Sequence, residues 1–208
     1  MNGLFYVMQQ FNPRMLIWNQ DRIESASAKR FADLIKTNSL QVPSFDVLDR
    51  RMEIGGAIIQ ILNPPSDFDR RRKQERWRNL NNNSIALRLT FQGRAILLPG
   101  DIEAPAELEM LQRRASALKS TILLVPHHGS RTSSSAEFLA AVAPQIAIVS
   151  CGWRNRFGFP HPEVLARYRD AGTRVLRTDN NGAVQIRLHA GDLYYRCADG
   201  IVGLPERL

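Results

Sequence analysis

Strands that alternate with helices, with hairpins added at either side, predict an α/β layered fold with a mixed sheet. Apolar runs of strand length recur near 94–98, 121–125, 145–150 and 174–177, and amphipathic helical patterns separate them at 103–115, 135–142 and 162–171. Gln92-Gly93 sits between the runs 84–91 and 94–98 as a two-residue hairpin turn, and a second hairpin joins Ala183 to Leu188 with Leu193 to Cys197.

The elements follow in order. Leu4, Val7, Met8 and Phe11 fall on one helical face from almost the first residue. Met15 to Trp18 reads as a short strand. Ser25 or Ser27 caps a helix whose Ala28, Phe31, Leu34 and Ile35 share a face. Short strands follow near Val42 to Leu48 and Ala57 to Leu62, the second ending at Pro64-Pro65. The polar stretch 67–83 reads as a mobile basic loop. Ser134 with Glu137 forms a capping box for the helix 135–142, and Pro162 suits the first turn of the helix that buries Val164, Leu165 and Tyr168. Thr178 to Gly182 is a turn in which Gly182 supplies a positive φ.

A chain of 208 residues with 44% hydrophobic content can bury a substantial core, and residues 1–208 read as a single domain. No apolar run approaches the ~18 to 20 residues that span a bilayer, so a soluble segment is expected. No signal peptide is visible. Cys151 and Cys197 lack metal-type spacing and read as buried thiols rather than a disulfide. The net charge of +8 points toward a polyanionic partner.

The chemistry concentrates at two strand ends. Leu98 runs into Pro99-Gly100-Asp101, and Val125 into Pro126-His127-His128-Gly129-Ser130. Two consecutive strands that deliver metal-type side chains to one sheet edge form a candidate site. Asp101 can bridge two divalent cations, or it can cap the helix that follows. Side chains of adjacent residues in extended backbone point opposite ways, so one histidine binds a given metal. His127 leaves the strand first and is expected beside Asp101, with His128 left to move a proton. Ser130 is read as a substrate contact; as a nucleophile it lacks a G-x-S-x-G elbow. Asn155 and Arg156 follow the strand ending at Ser150 and can reach substrate. His161 either faces the cleft or caps a helix. Asp179 can orient a ligand histidine. Arg71, Arg72 and Trp77, within a set of six basic side chains between 70 and 78, can hold single-stranded DNA through phosphates and base stacking. His189 reads as a surface residue.

Taken in order, Asn82-Asn83-Ser84, Leu97 to Asp101, His127 to Ser134, Asn155 to Gly158 and Thr178-Asp179 with Gly182 resemble the metallo-β-lactamase-fold domain of ComEC-type competence DNA-uptake proteins. The resemblance covers nearly the whole chain. It implies an αββα sandwich with a two-metal site of zinc or manganese, and a hydrolase of phosphodiesters acting on the DNA strand not taken up. By motif position Asp101 is the bridging ligand and a histidine of the 127–128 pair a second ligand. The family's parents are membrane-embedded, which implies the extracytoplasmic face of a bacterial inner membrane. Two departures stand out. The family's H-x-H-x-D-H or H-x-D-x-D-H cluster is absent, which implies a partial domain starting just past that motif, with weak metal binding and impaired hydrolysis. Phe159 stands where the family often has His, and His161 matches its second, more variable histidine. The competing expectations are a non-catalytic DNA-binding module and a hydrolase of a small phosphodiester.

Overall fold

A computed structural model describes residues 2–19, 25–189, 191–198, 200 and 202–203. The chain divides into two compact units, Met1–Leu48 with Pro65–Glu75 and Asp49–Pro64 with Arg76–Leu208.

The first unit is helical. Helix α1 (Asn2–Phe11) buries Phe5 and Met8 among Phe31 and Leu40, and α2 (Ala26–Thr37) supplies Phe31. Phe5 and Trp18 both meet the Phe31 ring edge-on, with centroids 6.3 and 5.3 Å away. Ser25 caps α2, accepting the Ala28 N–H at 3.1 Å. Two expected strands do not form. Met15 makes only an isolated parallel bridge to Gln41, and 42–48 is turn and irregular backbone. Several of their apolar residues serve side-chain packing instead: Leu16 and Trp18 pack against the helical core, and Phe45 is buried and meets Phe68 edge-on at 5.6 Å. Phe68 opens a short helix, α3 (Phe68–Arg71), within the stretch expected to be a loop.

The second unit holds a seven-stranded mixed sheet with strands in sequence order. Strand β1 (Arg51–Ile54), absent from the sequence reading, pairs with β2 (Ala57–Asn63) through Gly55 and Gly56, whose φ values of 56° and 78° suit the tightest hairpin turn. β3 (Ala86–Phe91) and β4 (Arg94–Leu98) turn at Gln92-Gly93, as the sequence suggests. From β4 the sheet becomes parallel. α4 (Ala104–Arg114) leads to β5 (Ile122–Leu124), α5 (Ala136–Val142) to β6 (Ile146–Val149), and α6 (Pro162–Asp170) to β7 (Arg174–Arg177). After the short α7 (Thr178–Asn181), strands β8 (Val184–His189), β9 (Asp192–Cys197) and β10 (Val202–Gly203) form a second, antiparallel sheet. The side chain of His189 lies outside the described residues.

Strand period decides which layer each residue joins. Leu97, Leu123, Ala147 and Val149 face the helices, packing with Met110, Phe138, Leu139, Val164 and Tyr168. Ile96, Ile122, Ile146 and Ile148 face the other way, onto Leu193, Tyr195 and Cys197 of the second sheet. The unit is therefore layered as helices, sheet and sheet. Cys151 and Cys197 are thiols, not a disulfide.

One polar group sits inside the helical layer. Glu107 on α4 is fully buried, and its carboxylate accepts the N–H groups of Ser134 at 2.5 Å and Ser135 at 2.9 Å. The expected capping box is displaced by one residue. Ser135 caps α5 through the Phe138 N–H, while Ser134, at φ 60°, turns its hydroxyl to Tyr168, 3.0 Å away. Removing Glu107 strands two buried donors, at about 1–3 kcal/mol each. Glu107→Ala should therefore lower the unfolding free energy by about 2–5 kcal/mol in a urea titration. A loss under about 0.5 kcal/mol would place that carboxylate outside the structural core.

Candidate functional site

The site is built where β4, β5 and β6 end. After β4 the chain turns at Gly100, φ 67°, where an added Cβ would lie 2.8 Å from the Ser84 Cβ, so only glycine fits. Ser84 accepts the Asp101 N–H at 3.1 Å and so sets the turn. Asp101 does not cap α4: Glu103 holds the cap position, and the Asp101 side chain lies toward His128.

After β5 the backbone does something the sequence reading did not anticipate. His127, His128 and Gly129 are all left-handed, with φ of 48°, 55° and 84°. For a non-glycine residue this costs on the order of 1–2 kcal/mol, and the surroundings hold it. His127 N–H donates to Gly100 O at 3.1 Å, Ser130 N–H to His127 O at 2.9 Å, and His161 N–H to Gly129 O at 2.9 Å. A Cβ on Gly129 would meet Pro160 at 2.5 Å. Because the segment is not extended, side-chain alternation does not apply, and it is His128 rather than His127 that lies beside Asp101. His128 faces Asp101, Nε2 to Oδ1 3.7 Å, while His127 lies against Glu103, Nδ1 to Oε1 3.5 Å.

His128 is oriented from behind. Its Nδ1 lies 2.7 Å from Ser150 O at the end of β6. A carbonyl only accepts, so Nδ1 carries a proton and Nε2 is turned toward Asp101. The 3.7 Å gap is too long for a hydrogen bond, and a cation with ligand bonds of about 2.0–2.2 Å can occupy it.

Glu103 was missed at the sequence level, although it stands two residues past Asp101 at a helix start. Its carboxylate accepts Thr132 Oγ1 at 3.0 Å, Asn79 Nδ2 at 3.1 Å and Asn82 Nδ2 at 3.4 Å, while Asn82 Oδ1 accepts the Glu103 N–H at 3.0 Å. Burial alone would raise the Glu103 carboxyl, but bonds from Asn79, Thr132 and Asn81, with the charge of His127, hold it below the ordinary value. His127 Nδ1 is buried and has no hydrogen-bond partner among the described residues. Phe159 lies between the two outer imidazoles, edge-on to His127 at 5.8 Å and to His161 at 5.6 Å, with Phe157 stacked on it at 5.5 Å.

The other candidates are placed as follows. Asn155 is a loop staple. Its side-chain NH₂ donates to Gly152 O and Phe159 O, and its Oδ1 accepts the Phe159 N–H at 3.0 Å. Ser130 shares its hydroxyl with Thr132 at 3.0 Å, which leaves the nucleophile reading without a base. His161 stands at the cap position of α6 without a side-chain capping bond. Asp179 accepts two bonds from Arg177, at 3.0 and 2.6 Å, and lies beside Cys151 rather than a histidine. Arg156 covers the Phe157 ring at 4.8 Å.

The 70–78 set does not form one basic patch. Arg71 and Arg72 belong to the first unit and pair with Glu75 at 2.6 Å and Asp69 at 3.4 Å. Trp77 belongs to the second unit, where it packs on the helical-side core beneath Arg78, itself buried against Glu109 at 2.6 Å. Acidic residues three or four positions away pair with Arg70, Arg71 and Arg72, Glu109 pairs with Arg78, and the Trp77 ring packs on the core.

Among the described residues no group of three or more His, Cys, Asp and Glu side chains is arranged to hold a metal ion. Asp101 and His128 supply two donors, short of the three or four of a catalytic zinc site.

Because its carboxyl is depressed, Glu103 contributes stability that is present above 4.5, the ordinary value, and lost as pH falls through the folded value. Wild type and Glu103→Gln should thus melt apart near neutral pH and converge in acid. A gap that widens toward low pH would reverse the assignment.

No protein-family model matches the sequence. The chain is similar to the competence protein ComA of Neisseria gonorrhoeae, 39% identical over 127 residues, or 60% of this chain and 18% of that one. It matches ComE operon protein 3 of Bacillus subtilis (strain 168) at 39% over 107 residues, 51% of this chain and 14% of the other. Protein YcaI of Escherichia coli (strain K12) is 37% identical over 110 residues, 53% and 15% of the two chains. The chain thus spans less than a fifth of the length of these relatives. Similarity at this level over half of the chain supports a competence-protein family.

Proposed function

We propose that this chain is a ComEC-like part of a metallo-β-lactamase-fold phosphodiesterase that works on DNA during uptake. The observation that carries the reading is the Asp101–His128 pair, brought to 3.7 Å at the shared edge of two parallel strands and aimed by Ser150. The competence relatives and the helix–sheet–sheet layering support it. A divalent ion, zinc or manganese, would supply Lewis acidity and an activated water in such a site. The residues present do not complete its donor set, so the chain by itself should bind metal weakly and hydrolyse poorly. Among the described residues no helix is long and apolar enough to cross a membrane. A place at the extracytoplasmic face of an inner membrane would come from the rest of a longer protein.

The test supplies the missing donors. Fusing a segment with an H-x-H-x-D-H cluster from a metallo-β-lactamase-fold relative ahead of the chain should produce manganese-dependent cleavage of single-stranded DNA, lost on Asp101→Ala. A well-folded fusion with no such cleavage would sink the hydrolase reading. Vigorous metal-dependent cleavage by the chain alone, lost on Asp101→Ala, would sink the donor count instead.

The same fusion separates the histidines. His128→Ala should lose metal and turnover together. His127→Ala should keep its metal and lose rate by about 10² to 10⁴, as for a positioned proton carrier. Metal content and turnover measured on both variants decide it; the reverse pattern would mean that the left-handed turn does not present His128 to the metal.

A second reading, a DNA-binding module without catalysis, is favoured by the net charge of +8 and the incomplete donor set. Salt-dependent DNA binding that needs no metal, with no cleavage from the fusion, would select it.

A further inference from the structure

The loop after β6 carries the most exposed aromatic surface of the second unit. Trp153 is 71% exposed and Phe157 59%. Each lies under an arginine: the Arg154 guanidinium is 4.3 Å from the Trp153 ring centre, and that of Arg156 is 4.8 Å from the Phe157 ring centre. Among the described residues no carboxylate pairs with either arginine. That sets this loop apart from the 70–78 stretch, where Arg70, Arg71, Arg72 and Arg78 are matched by acids. It is also held in shape. The Asn155 side chain binds Gly152 and Phe159 on either side, and the Gly158 N–H donates to Asn155 O at 3.1 Å.

We propose that loop 153–157 is a stacking platform for the bases of a single-stranded nucleic acid. Flat rings and flat guanidinium groups are the surfaces on which unpaired bases stack, and the positive charge serves the phosphates between them. Bases inside a duplex are already stacked and cannot use it. Asn155 fixes the loop beforehand, so little ordering entropy is lost on binding. The platform adjoins the candidate site. Ser150, which aims His128, lies three residues before Trp153, and Phe157 stacks on Phe159, which touches His127 and His161. Bases held on 153–157 would lead the sugar-phosphate chain toward Asp101. The proposal deepens the phosphodiesterase reading and rests on it only for the chemistry of that neighbouring pair.

The test reads binding alone, without metal. The probe is a fluorescently labelled thymidine oligomer about 15 nucleotides long, followed by anisotropy at low salt with the whole chain. Trp153→Ala should weaken binding about 5- to 150-fold. Phe157→Ala should act in the same direction, and Trp153→Phe, which keeps a ring in place, should retain most of the affinity. Arg154→Ala and Arg156→Ala should each flatten the salt dependence. Absence of oligomer binding overturns the platform, as does wild-type affinity in Trp153→Ala or an equal affinity for duplex of the same length. None of these results bears on Asp101-dependent cleavage by the fusion, so either idea can fail alone.

Discussion

The left-handed turn at His127, His128 and Gly129 is the constraint on which the site depends. Left-handed backbone at two imidazoles is costly, and it persists because several elements converge on it. Gly100 O takes the His127 N–H, Gly129 O takes the His161 N–H, and the Ser133 hydroxyl binds Pro126 O at 2.9 Å. Ser150 O holds the His128 ring. The ends of β4, β5 and β6 and the start of α6 are tied at one point. The turn then has a chemical consequence: it swings His128 onto Asp101 and His127 onto Glu103, an arrangement that extended backbone cannot give.

Much of this was legible in the sequence. The parallel strands, the helices between them and the Gln92-Gly93 hairpin follow from period and turn chemistry, because each element repeats its own local signal several times. Asp101 and the histidine pair were marked by residue type at strand ends. What was not legible depends on contacts distant in sequence. The positive φ at His127 and His128 has no local signature, since neither is glycine, and only Gly129 hints that the backbone is crowded, by Pro160. Met15 to Trp18 and Val42 to Leu48 looked like strands because short apolar runs in a small helical unit have the same composition. β1 went unread although Gly55-Gly56 is a hairpin-turn pair, because the run Arg51 to Ile54 is too short to register.

Charge was the least transferable signal. Six basic residues between 70 and 78 suggest a phosphate track, but Asp67, Asp69, Glu75 and Glu109 neutralise members of the set in place. The Arg78–Glu109 pair is buried, and the others lie nearer the surface, where such pairs contribute little to stability; all of them remove a cation from the inventory available to a polyanion. The shorter 153–157 loop carries two arginines and keeps both over aromatic rings. For recognition of a charged polymer, charge left unmatched matters more than charge counted.

The frame of the site is a set of hydrogen bonds. Glu103, held by Asn79, Asn82 and Thr132, and Asp101, held at its backbone by Ser84, are positioned by hydrogen bonds internal to the second unit. Asn63 reinforces this from the sheet, donating to Asn82 O at 3.0 Å and Ser84 O at 2.7 Å. A frame assembled in this way holds the Asp101 carboxylate and the His128 imidazole 3.7 Å apart. That is pre-organisation: the supporting hydrogen bonds set the geometry of the side chains they surround.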